Sequence, residues 1–275
     1  MKEKSAARKA SGEPRPAKKP SFATLQGGLI ELVHTLAEAI DGVILQDTAV
    51  TALDHNPTQT RPYSLMLSNG RMLRADVVVL ATPTFVMADL LAGVVETAVI
   101  DQLCAIPYNP VTTINVAFNR RDIANPFDGF GVVVPDTEPS PLLAVEGMSA
   151  KFPHRAPDDQ FVLRAFVGGQ DQPKLAELPD DELISLVRRE LARIFDITAA
   201  PTQVHIQRWL PANPQPPIGH LALIGQIERT LASHLPQLYL TGAGLRGQGI
   251  PDCIRQSRDV VAQIMADLQP ATALA

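Results

Sequence analysis

The chain has 275 residues, of which 45% are hydrophobic, 19% charged and 5% aromatic, with a formal net charge of −5. This is the balance of a globular protein able to bury a core, and its acidity and few aromatics exclude nucleic acid as the principal partner. The two cysteines, Cys104 and Cys253, form neither a disulfide framework nor a metal spacing, no apolar run reaches the length of a membrane span, and no apolar core follows the basic N-terminal residues as in a signal peptide.

Residues 1–20 carry Lys2, Lys4, Arg8, Lys9, Arg15, Lys18 and Lys19 and almost nothing apolar, which predicts a disordered tail or linker. After Phe22, the recurrence of Leu29, Leu32, Val33, Leu36 and Ile40 predicts an amphipathic helix. Strands are expected at 42–45 and 49–53, then a turn at His55-Asn56-Pro57. Strands at 63–67 and 72–73 flank Asn69-Gly70, a hairpin signal. ADVVVL, residues 75–80, reads as one buried strand, and a helix through Leu90-Leu91 follows Ala81-Thr82-Pro83. Strands at 111–118, 131–134, 142–145 and 161–166 suggest a largely antiparallel sheet. A helix at 180–195, a strand at 203–209 and a helix at 221–234 precede the closing motif.

That motif, LYLTGAGLRGQGIPDCIRQSRDVVAQI at 238–264, carries the most specific signal. An apolar strand, Leu238-Tyr239-Leu240, enters a turn with Gly242, Gly244, Gly247 and Gly249, and Pro251 opens a helix. Glycines admit a ligand close to the backbone, and free amides at a helix start attract anionic oxygen. The element reads as half of a flavin or nucleotide site; the plainer alternative is a flexible loop. The matching half is not found, since no GxGxxG follows an N-terminal strand. VVVLATP, residues 77–83, is either a ligand-bordering turn at the C-terminal edge of a sheet or a core strand ending at a proline. Asp252 suits a helix cap or a ligand contact, and Cys253 a small buried hydrophobe. Trp209 is either core filler or a flat ring at a sheet edge beside a ligand. His220 either lines a pocket or is a partly exposed structural residue.

His34, His55, His154, His205, His220 and His234 make no HxxxH or HExxH spacing, so no metal site is expected. There is no GxSxG elbow, no P-loop and no isolated carboxylate pair, and no catalytic residue is assigned. An enzyme of this kind leaves its chemistry to an organic cofactor.

FATLQGGLIELVHTLAEAI, DVVVLATP, FDGFGVVVP, KFPHRAPDDQFVLRAFVGG, RWLPANPQPPIGH and LYLTGAGLRGQGIPDCI occur in that order. Together they resemble the C-terminal portion of the protoporphyrinogen oxidases, FAD-dependent enzymes of heme biosynthesis in the flavin amine oxidase superfamily. The resemblance implies an α/β (α+β) fold in which an incomplete FAD/NAD(P)-binding, Rossmann-like domain interleaves with a sheet-rich substrate-binding domain. It implies a basic tail at 1–20, a partial FAD-binding domain at 21–92, a mainly substrate-binding sheet domain at 93–208, a C-terminal FAD-binding segment at 209–267 and a tail at 268–275. By the same resemblance, Val50 offers backbone hydrogen bonds to adenine, Gly242, Gln248, Gly249 and Ile250 lie against the flavin, and Trp209 sits near the isoalloxazine. The loop 213–220, with Asn213 and His220, borders the substrate pocket.

Three departures from the family pattern stand out. Asn213-Pro214-Gln215-Pro216 replaces an MPQY-type sequence, Ser257 stands where a glycine is usual, and the N-terminal GxGxxG with its acidic ribose partner is absent. The implied activity is oxidation of protoporphyrinogen IX or coproporphyrinogen III, with FAD accepting hydride equivalents. The alternatives are another flavin amine oxidase relative, such as a carotenoid desaturase or an amine oxidase, or a non-catalytic remnant or subunit. The last would bind a separate GxGxxG-bearing chain and expose an unpaired sheet edge and an apolar helix surface. A cytoplasmic location is expected from the cysteine usage, while peripheral membrane contact and a homodimer stay open.

Overall fold

The computed structural model describes residues 23–124 and 129–268. The expectations for residues 1–20 and for the tail at 268–275 fall outside them, except that Leu268 closes the last helix. The described residues divide into two compact units, the first ending at Ile44 and the second beginning at Leu45.

In the first unit, helix α1 spans Ile30–Ala39, where the apolar spacing places it. No residue of α1 is buried, and Ile30, Val33 and Leu36 are all exposed. The strand expected at 42–45 does not form: residues 43–45 are irregular and Val43 is 87% exposed. A strand is defined by its ladder partner, and apolar composition alone supplies none.

The second unit opens with an antiparallel sheet of β1 (Val50–His55), β2 (Tyr63–Leu67) and β3 (Met72–Ala75), in that order. Gly70, at φ +81°, makes the β2–β3 turn, a backbone state that suits glycine. The run ADVVVL is not one strand. Ala75 ends β3, and β4 (Val78–Leu80) begins a separate ladder. Helices α2 (Thr84–Leu91) and α3 (Thr97–Cys104) follow. The sequence pattern does not reveal α3, which buries only Val99 and Leu103.

Next comes a five-stranded antiparallel sheet of β5 (Tyr108–Asn119), β6 (Gly131–Val133), β7 (Leu142–Gly147), β8 (Gln160–Gly168) and β9 (Gln203–Pro214). Its spatial order is β6-β7-β8-β5-β9. A short helix, α4 (Met148–Lys151), follows β7, and α5 (Asp180–Phe195) separates β8 from β9. Asp180, Asp181 and Glu182 place negative charge in the first turn of α5, where the helix dipole favours it. Leu183, Leu186, Val187 and Leu191 bury one face of α5, and Asp196 ends the helix in a left-handed conformation.

The remaining elements are α6 (His220–His234), β10 (Leu238–Leu240), α7 (Ala243–Arg246) and α8 (Ile250–Leu268). β10 pairs in parallel with β4, placing Leu238 opposite Val78 and Leu240 opposite Leu80. The Val78 N–H donates to the Gln237 carbonyl (3.0 Å) and the Thr241 N–H to the Leu80 carbonyl (2.9 Å). Backbone alternation therefore turns Leu238 and Leu240 toward the other edge. Among the described residues no strand pairs on that edge. α8 buries only Gln256, and exposes Ile250, Ile254, Val261, Met265 and Leu268. Their spacing aligns them along one side of the helix.

Two hydrophobic cores result. One gathers Tyr63, Leu80, Met87, Leu103, Ile224 and Leu240, and the other Ile114, Phe118, Leu163, Val167, Leu183 and Leu191. β5 serves both, with Tyr108 packed against the first and Ile114, Val116 and Phe118 inside the second.

Candidate functional site

β4 and β10 run side by side in one direction, so both chains leave the ladder at the same edge. In parallel arrangements that C-terminal edge is where loops converge on a ligand. Residues 81–84 arrive from β4 and 241–249 from β10. Gly242 adopts φ +131°, which side chains rarely tolerate, beside the Ala81 and Thr82 carbonyls. Gly244 is closed in by packing: a Cβ there would lie 2.3 Å from the Tyr108 hydroxyl oxygen. That oxygen accepts a hydrogen bond from the Thr84 N–H (3.1 Å), at the start of α2. The Phe85 ring meets Tyr108 edge-on, with centroids 5.1 Å apart. The entry to α2, the start of β5 and α7 therefore share one junction.

The hydroxyl oxygens of Thr82 and Thr84 are buried there without a hydrogen-bond partner. An unsatisfied buried hydroxyl costs about 1–3 kcal/mol and calls for an explanation. A polar ligand reaching the edge beside Gly242 supplies one. The residues present thus fit the diphosphate-bearing kind of group that the glycine turn suggests.

The turn is anchored on both sides. His220 Nε2 donates to the Leu245 carbonyl (2.7 Å), and its Nδ1 is buried without a partner. Arg246 forks onto Glu228 of α6, with Nε 3.3 Å from Oε1. From α8, Gln256 donates to the carbonyls of Gly247 (3.1 Å) and Asp252 (3.3 Å) and accepts from the Arg246 N–H (3.2 Å). Gln248 donates to the Pro214 carbonyl at the end of β9. Gly249 and Ile250 are exposed at the start of α8.

Gly242, Gly244, Gln248, Gly249, Ile250 and His220 therefore share one neighbourhood. Asn213 adjoins it through Pro214, but as an exposed strand residue paired with Asn109, because β9 continues to Pro214. His220 is buried at 6% exposure, facing the turn. Trp209 stands opposite Val111 and is 51% exposed, so it is not core filler. Val50 opens β1 opposite Leu67, and its side chain packs on the first core. Asp252 pairs with Arg255 (2.7 Å) and lies against Gly247, in the first turn of α8. Cys253, expected buried, is half-buried with Sγ 3.7 Å from the Gly247 carbonyl.

Sequence reasoning misses Tyr108, Thr84 and Gln256, whereas Thr82 lies in the VVVLATP turn that it offers as ligand-bordering. It also seeks GxGxxG only after an N-terminal strand, whereas Gly242, Gly244 and Gly247 have that spacing after β10. Here α7 intervenes, Gly244 is turned toward Tyr108 and Gly247 toward Asp252, so the spacing does not lead straight into one long helix. Among the described residues there is no metal-binding cluster, and no helix is long and apolar enough to cross a membrane.

Comparison with known proteins adds a family. Residues 6–265 match the model of the flavin containing amine oxidoreductases. The chain is 31% identical over 260 residues to coproporphyrinogen III oxidase of Bacillus subtilis, covering 94% of the chain and 54% of that protein. It is 32% identical over 267 residues to the enzyme of that name from Propionibacterium freudenreichii, covering 95% of the chain and 48% of that protein. A solved structure described as a protoporphyrinogen oxidase from Exiguobacterium sp. 255-15 superposes with a TM-score of 0.80 at 28% identity, over 92% of the chain and 54% of that structure. Cyclohexylamine oxidase from Brevibacterium oxydans shares the fold, with a TM-score of 0.68 at 20% identity over 88% of the chain and 53% of that structure. The chain spans about half the length of the curated relatives it matches. A mixed α/β architecture, a glycine turn at the edge of a parallel ladder and a family match across nearly every structured residue agree: the chain belongs to the flavin-containing amine oxidoreductase family.

Proposed function

We propose that the chain forms the turn-bearing and sheet-bearing portion of an FAD-dependent oxidase that converts a porphyrinogen, coproporphyrinogen III or protoporphyrinogen IX, to the porphyrin. The observation that carries this reading is the edge beside Gly242, where the Thr82 and Thr84 hydroxyls are buried without partners. The names borne by the relatives, coproporphyrinogen III oxidase and protoporphyrinogen oxidase, support the substrate class.

Bound FAD would supply the chemistry by accepting hydride equivalents. The chain's own residues bind and orient. Gly242 and Gly249 allow close approach, Gln248 is fixed by the Pro214 carbonyl, and Ile250 offers an apolar contact at the start of α8. Trp209 lies on the same strand as Pro214 and presents an exposed ring to the flavin. Val50 serves the adenine through its backbone, and Asn213 and His220 border the substrate, His220 by holding the turn. In this reading 21–92 and 209–267 belong to the FAD-binding part and 93–208 to the substrate-binding sheet. No side chain of the chain is assigned as a catalytic acid or base.

The reading includes a partner polypeptide that carries an N-terminal GxGxxG and pairs with the open edge of β10. The groove along that edge, of about 700 Å³, has walls from α6 and α8. The apolar line on α8 would be covered by the same partner, or by a second copy or a membrane surface, in a cytoplasmic protein. The test is an absorbance spectrum of the purified chain, alone and co-expressed with the part of the Bacillus subtilis relative that it does not match. Flavin bands and porphyrinogen oxidation in the co-expressed sample are expected. Their absence in both samples would leave the non-catalytic reading.

A further inference from the structure

The five-stranded sheet has two unlike faces. One is buried, with Ile114, Val116 and Leu163 in the second core. The other carries Asn115, Arg164, Phe166, His205, Gln207 and Trp209, all half-buried or exposed. The strand registers set Glu146 opposite Arg164, Arg164 opposite Asn115, and Asn115 opposite His205. These four residues form one straight polar row across β7, β8, β5 and β9.

Glu146 meets two cations: Lys151 of α4, and the Arg164 Nη1 at 3.7 Å. Arg164 Nε donates to Asn115 Oδ1 at 2.9 Å, which fixes the plane of the guanidinium. Arg164 Nη2 has no acceptor among the described residues. Side-chain exposures of 34% for Arg164, 22% for Glu146 and 15% for Lys151 leave the group accessible yet partly desolvated, where a charge-assisted contact is stronger than in bulk water. Trp209 is four residues along β9 from His205, a separation of about 13 Å at the rise of an antiparallel strand. That matches the scale of a tetrapyrrole with its carboxylate arms. Phe166 and Thr113 lie in the intervening row, opposite each other.

We infer that this face is the floor of the substrate site, and that Arg164, assisted by Lys151, binds a carboxylate of a tetrapyrrole laid between the row and Trp209. The inference rests on the porphyrinogen reading and deepens it: Arg164 is the residue that recognises a carboxylate arm of the macrocycle. Guanidinium suits the task because its planar donors match a carboxylate in a way that an ammonium does not.

Trp209 is the only tryptophan and lies on this face, so its fluorescence reports binding to the whole chain. The probes are coproporphyrin III with four carboxylates, mesoporphyrin IX with two, and coproporphyrin tetramethyl ester with none. Coproporphyrin is expected to quench Trp209 at the lowest concentration and the ester at the highest. Arg164→Gln should weaken coproporphyrin and mesoporphyrin about tenfold and leave the tetramethyl ester unchanged. Glu146→Gln, checked for an unchanged urea midpoint, should tighten coproporphyrin, because both cations lose a competing carboxylate. The inference is overturned if no porphyrin quenches Trp209, if Arg164→Gln leaves coproporphyrin unchanged, or if Glu146→Gln weakens it. Flavin absorbance of the co-expressed sample tests the oxidase reading separately. Binding through Arg164 in a chain that never takes up flavin keeps this inference and removes that reading; a flavin-loaded protein indifferent to Arg164→Gln does the reverse.

Discussion

His220 Nε2 and the carbonyl oxygen of Leu245 lie 2.7 Å apart, joining the first residue of α6 to the helical turn inside the glycine-rich segment. With His220 only 6% exposed, water does not compete for that carbonyl as it does at a surface. His220→Leu should therefore cost about 1–3 kcal/mol by removing the donor. His220→Gln, whose amide can reach the place of Nε2, should recover part of the loss. Urea midpoints of the two variants check the order, and equal midpoints would show that the bond contributes nothing.

Gly244 and Tyr108 form a second coupled pair. Gly244→Ala should destabilise by about 1–3 kcal/mol, because its methyl group would strike the Tyr108 hydroxyl. Removing that hydroxyl with Tyr108→Phe makes room, although it leaves the Thr84 N–H without its acceptor. A double-mutant cycle should show Gly244→Ala less damaging when combined with Tyr108→Phe than when made alone. Additive losses would contradict the packing described.

Two tyrosines give the chain an alkaline weakness. Burial, then the bond to Asp267, pushes Tyr239 up to about 12. Burial raises Tyr63 further, and its hydroxyl donates to the Pro236 carbonyl at 2.6 Å. Both values are raised above the unfolded value near 10, so their contribution is complete below about pH 10 and is lost as pH climbs toward the folded values. Melting temperature should fall between about pH 10 and about pH 12, and less steeply in Tyr63→Phe. A flat profile in the parent chain would contradict this assignment.

β10 should show alternating amide exchange. The Thr241 N–H is bonded to Leu80, whereas Leu240 faces the open edge. In residue-resolved hydrogen exchange, Leu240 should exchange faster than Thr241 in the chain alone. It should slow when the part of the Bacillus subtilis relative that the chain does not match is co-expressed, by about tenfold or more if a strand pairs there. Equal protection of both amides in the free chain would mean that the edge is already covered.

Local patterns are legible in the sequence and distant ones are not. α5 announces itself by acidic residues in its first turn and by Leu183, Leu186, Val187 and Leu191 at helical spacing. α3 offers only two buried positions and gives too weak a period. Residues 42–45 look like a strand because composition cannot reveal a missing partner. ADVVVL looks continuous, but Asp76 breaks the run and lies 3.6 Å from Arg61. The glycine turn is recognisable because strand, glycines and helix are contiguous. Tyr108 escapes notice because its value lies in contacts with Thr84 and Gly244, one earlier in the chain and one far later. The polar row is invisible for the same reason: Glu146, Arg164, Asn115 and His205 meet only once four strands are in register.

β5 runs from Tyr108 at the glycine turn to Asn119, beyond the Asn115 row, and its pairing with β9 is regular from Val111 to Ala117. It acts as a ruler between the two places where this chain would hold its ligands. A single-residue insertion between Val111 and Asn115, where the pairing is regular, would turn Asn115 to the buried side and bring an apolar neighbour out in its place. Length changes in this strand should thus be tolerated, if at all, only in pairs, and each pair would lengthen the gap by about 7 Å, far more than a rigid macrocycle can follow.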